Sequence, residues 1–211
     1  MNKLFLTFLS FIISINLSFS QDKLAKQLLE SLSKKGKSYT DITAEFQFNY
    51  SNTEGVNENS EGKLWIKEDM YKLDWGTDLS IINNGETAWH FMKDIPEVQI
   101  MENELEDEMN PSRIFTIYER GYKYDYQGYE SVNSSKIHKV NLYPDENEII
   151  SIITIYINAE KTELSKIKIT EKNGGVTTYT ITKFITNSNL PNSTFIFKRK
   201  DHPNVEVIDL R

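Results

Sequence analysis

The 211-residue sequence contains no cysteine. That excludes a disulfide framework, a thiolate metal site and the lipidated N-terminal cysteine that anchors a bacterial lipoprotein. Histidine is nearly as scarce. His90, His138 and His202 are scattered over separate segments, with no H-E-x-x-H or comparable metal-ligand spacing. The nine glycines and five prolines form no G-x-S-x-G elbow, phosphate-cradling loop or dinucleotide fingerprint. Acyl-transfer and nucleotide chemistry lose support, so no catalytic residue, metal or other cofactor is expected. Positive charge is also in deficit, with 24 Lys and Arg against 31 Asp and Glu. This balance argues against nucleic acid or anionic headgroups as the main partner.

Long apolar runs are missing except at the N terminus. There Lys3 supplies a positive n-region, Leu4 to Phe19 an apolar stretch, and Ser18-Phe19-Ser20 small residues at the cleavage positions of an export signal. The stretch is interrupted by Ser10, Ser14, Asn16 and Ser18, whereas crossing a bilayer needs about 20 strongly apolar residues. Residues 1–20 are expected to be a signal peptide cut before Gln21. Loss of Lys3 takes the formal charge from −7 to −8. Residues 21–211 suit one domain.

Asp22 to Lys35 reads as an amphipathic helix, with Ala25, Leu28, Leu29 and Leu32 on one face and Gly36 as its stop. From Ile42 the period changes to two, Ile42, Ala44, Phe46, Phe48 and Tyr50 alternating with polar residues. Similar strand patterns follow at Glu61 to Lys67, Met70 to Trp75, Leu79 to Asn83, Thr87 to Met92 and Glu97 to Met101. They resume at Tyr122 to Gly128, Lys136 to Tyr143, Ile149 to Asn158, Leu164 to Glu171 and Val176 to Ile185. Asn84-Gly85 predicts a type I′ hairpin, and Asn173-Gly174-Gly175 closes the last one. About eleven strands joined mainly by short turns imply a wide antiparallel sheet that curls on itself.

The strand pattern breaks once. Glu102, Glu104, Glu106, Asp107 and Glu108 form an acidic run, and Asn110-Pro111 then opens a helix that Gly121 ends. The acids lack the glycine and oxygen spacing of a calcium loop and read as a solvated charge run. Ile114, Phe115, Ile117 and Tyr118 give the helix an apolar stripe that has to lie on something apolar.

Several segments together resemble the LolA family of periplasmic outer-membrane lipoprotein carriers. They are F-Q-F at Phe46 to Phe48, G-K-L-W-I-K at Gly62 to Lys67, I-I-N-N-G-E-T-A-W-H-F at Ile81 to Phe91, N-x-x-L-P-N-S-T-F-I-F at Asn187 to Phe197, and V-E-V-I-D-L-R at Val205 to Arg211. The resemblance implies a mainly β fold with helices: an incomplete, half-open antiparallel β-barrel under a helical lid, sheltering lipoprotein acyl chains. It implies receipt of acylated lipoproteins from an inner-membrane ABC transporter and delivery to an outer-membrane acceptor, by a soluble protein expected to be a monomer. In the family an arginine often follows the G-x-L-W-x-K strand and helps hold the lid shut. Here Lys67 is followed by Glu68-Asp69, and a basic residue reappears only at Lys72. A different set of lid contacts, or a more open empty state, is expected.

Each exposed CH₂ costs about 0.8 kcal/mol in water, so acyl chains need an apolar shelter with few fixed polar groups. The candidate lining is Phe46, Phe48, Tyr50, Leu64, Ile66, Tyr71, Leu73, Trp75, Trp89 and Phe91, and the candidate lid Leu28, Leu32, Ile114, Phe115 and Tyr118. The bland alternative is that these residues fill a closed core, as alternating apolar residues do in most β-proteins. Two other functions stay open: the same fold carrying or sensing another lipid or glycolipid, and a secreted hydrolase built on two converging carboxylates. The role of Tyr122, Tyr124 and Tyr126 is left open.

Overall fold

The computed structural model describes residues 23–102, 111–144 and 149–211. The expected signal segment 1–20 and acidic residues 104–108 lie outside them. Helix α1 runs through residues 23–37. Six strands follow: β1 Ile42–Ser51, β2 Asn57–Lys67, β3 Met70–Trp75, β4 Leu79–Asn83, β5 Thr87–Met92 and β6 Glu97–Glu102. A 3₁₀ helix, Pro111–Arg120, leads into β7 Lys123–Val132, β8 Ser135–Tyr143, β9 Ile150–Asn158, β10 Glu163–Glu171 and β11 Val176–Thr186, and the tail ends in β12 Glu206–Asp209.

All twelve strands of the described residues join one sheet in the order β12-β6-β5-β4-β3-β2-β1-β11-β10-β9-β8-β7. Every pairing is antiparallel except β12 on β6, which is parallel. The two ends, β7 and β12, do not pair with each other, so the sheet is an open half-barrel and not a closed one. The long-range join is β1 against β11, where Phe48 faces Tyr179 and a bulge at Glu45/Phe46 bends the strand.

Register assigns each side chain to a face. Ile42, Ala44 and Phe46 oppose Ile66, Leu64 and Gly62 on β2, which oppose Tyr71, Leu73 and Trp75 on β3. On the other side they continue through Phe184, Ile181 and Tyr179 of β11 to Ile167 and Ile169 of β10 and Ile153 and Ile155 of β9. This face is the inner one. Ala25, Leu28, Leu29 and Leu32 of α1 join Val140, Leu142, Ile153, Ile155 and Ile157 in its main core cluster. The outer face of β8 to β11 is polar, exemplified by the cross-strand pairs Lys166–Thr180 and Lys168–Thr178, and is left to solvent.

The outer face of β2 to β6 is covered differently. The C-terminal tail crosses it: Lys67 donates hydrogen bonds from Nζ to the Leu190 carbonyl and to Asn192 Oδ1, both at 2.8 Å. Phe91, Val98 and Val205 form a second core cluster there, with Trp89, Phe197 and Val207 packed against it. At the head of the tail, Asp41 is 2% exposed and accepts backbone hydrogen bonds from Ser188 at 2.8 Å, Asn189 at 2.9 Å and Leu190 at 3.4 Å. Burial alone would raise this carboxyl, but the Ser188 N–H, the Thr40 hydroxyl and the two further N–H groups outweigh it and hold it below the ordinary range.

Two local expectations need correction. The helix does not stop at Gly36 but continues through residue 37, and Gly36 instead gives room to Phe115 (a β-carbon there would lie 2.6 Å from its ring). The Asn84-Gly85 turn is not type I′: Gly85 has φ +93° while Asn84 is not left-handed, and the Asn84 side chain accepts hydrogen bonds from Glu86 and Thr87 instead. The expected central helix is present, in 3₁₀ form.

Candidate lipid-binding cavity

Between the inner face and the 3₁₀ helix lies a cavity of about 220 Å³. Ile42, Ala44, Phe46, Leu64, Ile66, Leu73 and Trp75 supply the floor from β1 to β3. Ile153, Leu164, Ile167, Ile169, Tyr179, Ile181 and Phe184 continue it from β9 to β11, and Pro111, Arg113, Ile114, Phe115 and Ile117 form the roof. The alternation of β1, β2 and β3 puts apolar side chains on this surface at every second residue.

Four rings gather at one end. Phe48 and Trp75 have centroids 4.6 Å apart, Phe46 and Trp75 5.8 Å, and Tyr179 lies 5.6 Å from Phe48 and 5.8 Å from Phe46, in edge-on or tilted arrangements. Such flat, stiff groups hold a surface open where flexible chains would collapse into it. Burial raises the Tyr179 hydroxyl above its ordinary value of 10.0, so it remains a neutral phenol. Gly62 lies beneath the ring of Phe46, where a β-carbon would approach its Cζ to 2.4 Å.

Of the residues nominated from sequence, Phe46, Leu64, Ile66, Leu73, Trp75, Ile114 and Phe115 meet at the cavity. Phe48 stands behind Trp75 in the ring cluster. Tyr50 is further along the same face of β1, paired with Thr177. Tyr71 and Tyr118 pack against the main core. Leu28 and Leu32 are buried in that core, roofing β8 and β9 but not lining the cavity. Trp89 and Phe91 do not belong to this surface. Their partners Ile82 and Ser80 alternate with the inner-facing Ile81 and Leu79, so both lie on the outer face, and Phe91 packs against Phe197 at 5.4 Å and His202 at 4.5 Å.

Sequence reading missed the contribution of β9 to β11, although the I-x-I-x-I alternation of Ile153, Ile155 and Ile157 and the Ile167/Ile169 pair carried the signal. It also missed Arg113, the single charged residue of the lining among the described residues. Tyr122, Tyr124 and Tyr126 pack against the main core, and the Tyr126 hydroxyl lies 2.8 Å from His138 Nδ1. Burial lowers the His138 and His90 imidazoles below 6.5, with Lys136 adding to the effect on His138, so both are neutral at pH 7. Among the described residues no group of three His, Cys, Asp or Glu is placed to hold a metal ion, and no helix is long and apolar enough to cross a membrane.

The lid is tied to α1. Glu119 accepts hydrogen bonds from Ser33 Oγ at 2.8 Å and from Lys37 Nζ at 2.6 Å. Lys37 chiefly, and Ser33 next, hold the Glu119 carboxyl below its ordinary value. α1 is fixed in turn to the β9–β10 turn, Lys35 Nζ donating to the Lys161 carbonyl. Lys72 has no part in closure: it faces outward, over the Trp65 ring at 5.0 Å and 3.4 Å from Asp74.

An uneven half-barrel with a lid over a greasy cavity is thus the class that fold and site define. Residues 37–198 match the family described as outer membrane lipoprotein carrier protein LolA, and the chain belongs to that family. Its fold is similar to that of an uncharacterized conserved protein from Thermus thermophilus, at 9% identity and a TM-score of 0.60 over 88% of this chain and 98% of that one. A LolA superfamily protein from Nitrosomonas europaea also matches, at 10% identity and a TM-score of 0.45 over 82% and 97% of the two chains. No curated relative matches in sequence.

Proposed function

We propose that the protein is a periplasmic carrier that shelters lipoprotein acyl chains under its lid and shuttles them from the inner to the outer membrane. In this reading residues 1–20 are a cleaved signal and residues 21–211 one carrier domain. The cargo is taken from an inner-membrane ABC transporter and passed to an outer-membrane acceptor. The observation that carries the reading is the apolar cavity roofed by Ile114, Phe115 and Ile117. Its roughly 220 Å³ is smaller than the approximately 300–1,000 Å³ of pockets that enclose a drug-sized ligand. The described conformation therefore corresponds to the closed carrier, and loading requires the lid to lift. A hydrolase reading has little support, since no carboxylate among the described residues lines the cavity. A different acyl lipid as cargo is favoured by one feature, the guanidinium of Arg113.

Protein purified from its native envelope is expected to yield lipoprotein or acyl lipid in an organic extract analysed by mass spectrometry. Trp75→Asp and Phe48→Asp are expected to lose that cargo while keeping the wild-type circular dichroism spectrum. Full loading of both variants, or no hydrocarbon ligand in the wild type, would contradict the proposal.

A further inference from the structure

Arg113 stands at a boundary. It lines the apolar cavity on one side and, on the other, a polar recess of about 360 Å³ shared with Asp69, Thr116, Glu119 and Arg120. A guanidinium stays charged at any physiological pH and presents five N–H donors in a fixed fork. Arg113 is half-buried, yet among the described residues its guanidinium has no counter-ion. The one side chain bonded to it among the described residues meets its backbone and not its guanidinium, the Thr116 hydroxyl donating to the Arg113 carbonyl at 3.1 Å. Asp69 lies on the same recess but is exposed and makes no ion pair with it. Glu119 is already engaged by Ser33 and Lys37.

A partly desolvated charge without a partner is costly unless an opposite charge is supplied. The place where it would be supplied is the point at which a bound amphiphile passes from hydrocarbon to polar head. We propose that Arg113 binds an oxyanion, phosphate or carboxylate, attached next to the acyl chains of the ligand, so that the cavity prefers anionic acyl lipids over neutral ones of equal chain length. The proposal rests on the cavity taking acyl chains. It is compatible with the formal charge of −7, because screening limits long-range repulsion to about 10 Å while a bidentate contact acts at hydrogen-bond distance.

The test uses the chain from Gln21 onward, with intrinsic tryptophan fluorescence reporting binding beside Trp75. Palmitate is compared with monopalmitoylglycerol, and dipalmitoylphosphatidylglycerol with dipalmitoylglycerol. The wild type is expected to bind the anionic member of at least one pair about tenfold or more tightly, in keeping with a charge-assisted hydrogen bond. A preference confined to palmitate identifies a fatty carboxylate as the source, and one confined to phosphatidylglycerol a headgroup phosphate. Arg113→Gln is expected to abolish the preference, bringing each anionic lipid to the affinity of its neutral partner, and Arg113→Lys to restore part of it. Equal affinities within both pairs, or a preference that survives Arg113→Gln, would overturn the proposal while leaving the acyl cavity standing. Failure of the wild type to bind any of the four lipids would overturn both.

Discussion

Gly36 of α1 and Phe115 of the lid are in direct contact: a β-carbon added to Gly36 would lie 2.6 Å from both Cβ and Cγ of Phe115. The helix and the roof can close over the cavity only because that β-carbon is absent. Gly36→Ala meets no backbone obstacle, as Gly36 does not have positive φ, so its effect reports packing alone. Overpacking of this kind costs about 1–3 kcal/mol, and here the lid can relieve it by moving outward. Since the chain has no cysteine, Ile114→Cys gives a unique reporter on the roof. Thiol labelling at that position is expected to be faster in the Gly36→Ala background, and an unchanged rate would show that Phe115 does not hold the lid down.

The Glu119 latch is weaker. The Lys37 and Glu119 side chains are 55% and 38% exposed, and pairs of this kind contribute no more than about 1 kcal/mol. Lys37→Ala is therefore expected to raise Ile114→Cys labelling by about fivefold at most, and added salt to mimic part of the effect. The pH dependence has a definite sign. Glu119 is depressed in the folded state, so its contribution is complete above the ordinary carboxyl value of 4.5 and is lost as pH falls through the lower folded value. Labelling with an acid-tolerant thiol reagent is expected to accelerate only in that acidic range.

Asp41 fastens the tail to the sheet through three backbone N–H groups. Asp41→Ala leaves those donors without their acceptor, at a cost of roughly 1–3 kcal/mol for each one that stays buried. A clear loss of melting temperature is expected, with acyl-lipid binding retained in the folded fraction because the tail lies on the outer face. The wild-type contribution is present above the ordinary value of 3.8 and fades as pH drops through the depressed folded value. The melting-temperature gap between wild type and Asp41→Ala should accordingly narrow in strong acid.

Phe195 is fully buried within the tail that covers the outer face. Phe195→Ala is expected to destabilise by about 3–5 kcal/mol in urea unfolding, without changing which lipid is bound. Gly62→Ala is expected to affect both properties. Its β-carbon drives the Phe46 ring from below, so lipid affinity falls along with stability.

Strand positions were legible because period two dominates each strand: Met70–Trp75, Leu79–Asn83 and Thr87–Met92 stand where the pattern put them. The face was not legible for β5. Trp89 and Phe91 alternate with Ala88, His90 and Met92, and both sets meet other side chains, the former beneath the tail and the latter on the inner side. Alternation identifies a buried face only when the other face is polar, as it is on β10 but not on β5. The four-residue strand Glu206–Asp209 escaped because its parallel pairing with β6 has no hairpin turn to announce it. Arg113 escaped because a lone arginine on an amphipathic helix reads as solvent-facing until the cavity beside it is known.

The sharpest test compares two positions on neighbouring strands with opposite outlooks. Leu73 lines the cavity, whereas Trp65 of β2 lies on the outer face between Lys63 and Lys72. A photo-crosslinking amino acid placed at each in living cells, followed by mass spectrometry of the adducts, reads directly which face meets hydrocarbon. Adducts bearing acyl chains at position 73 and none at position 65 are the expected result. Acyl adducts at both positions alike, or at neither, would contradict an acyl-chain carrier.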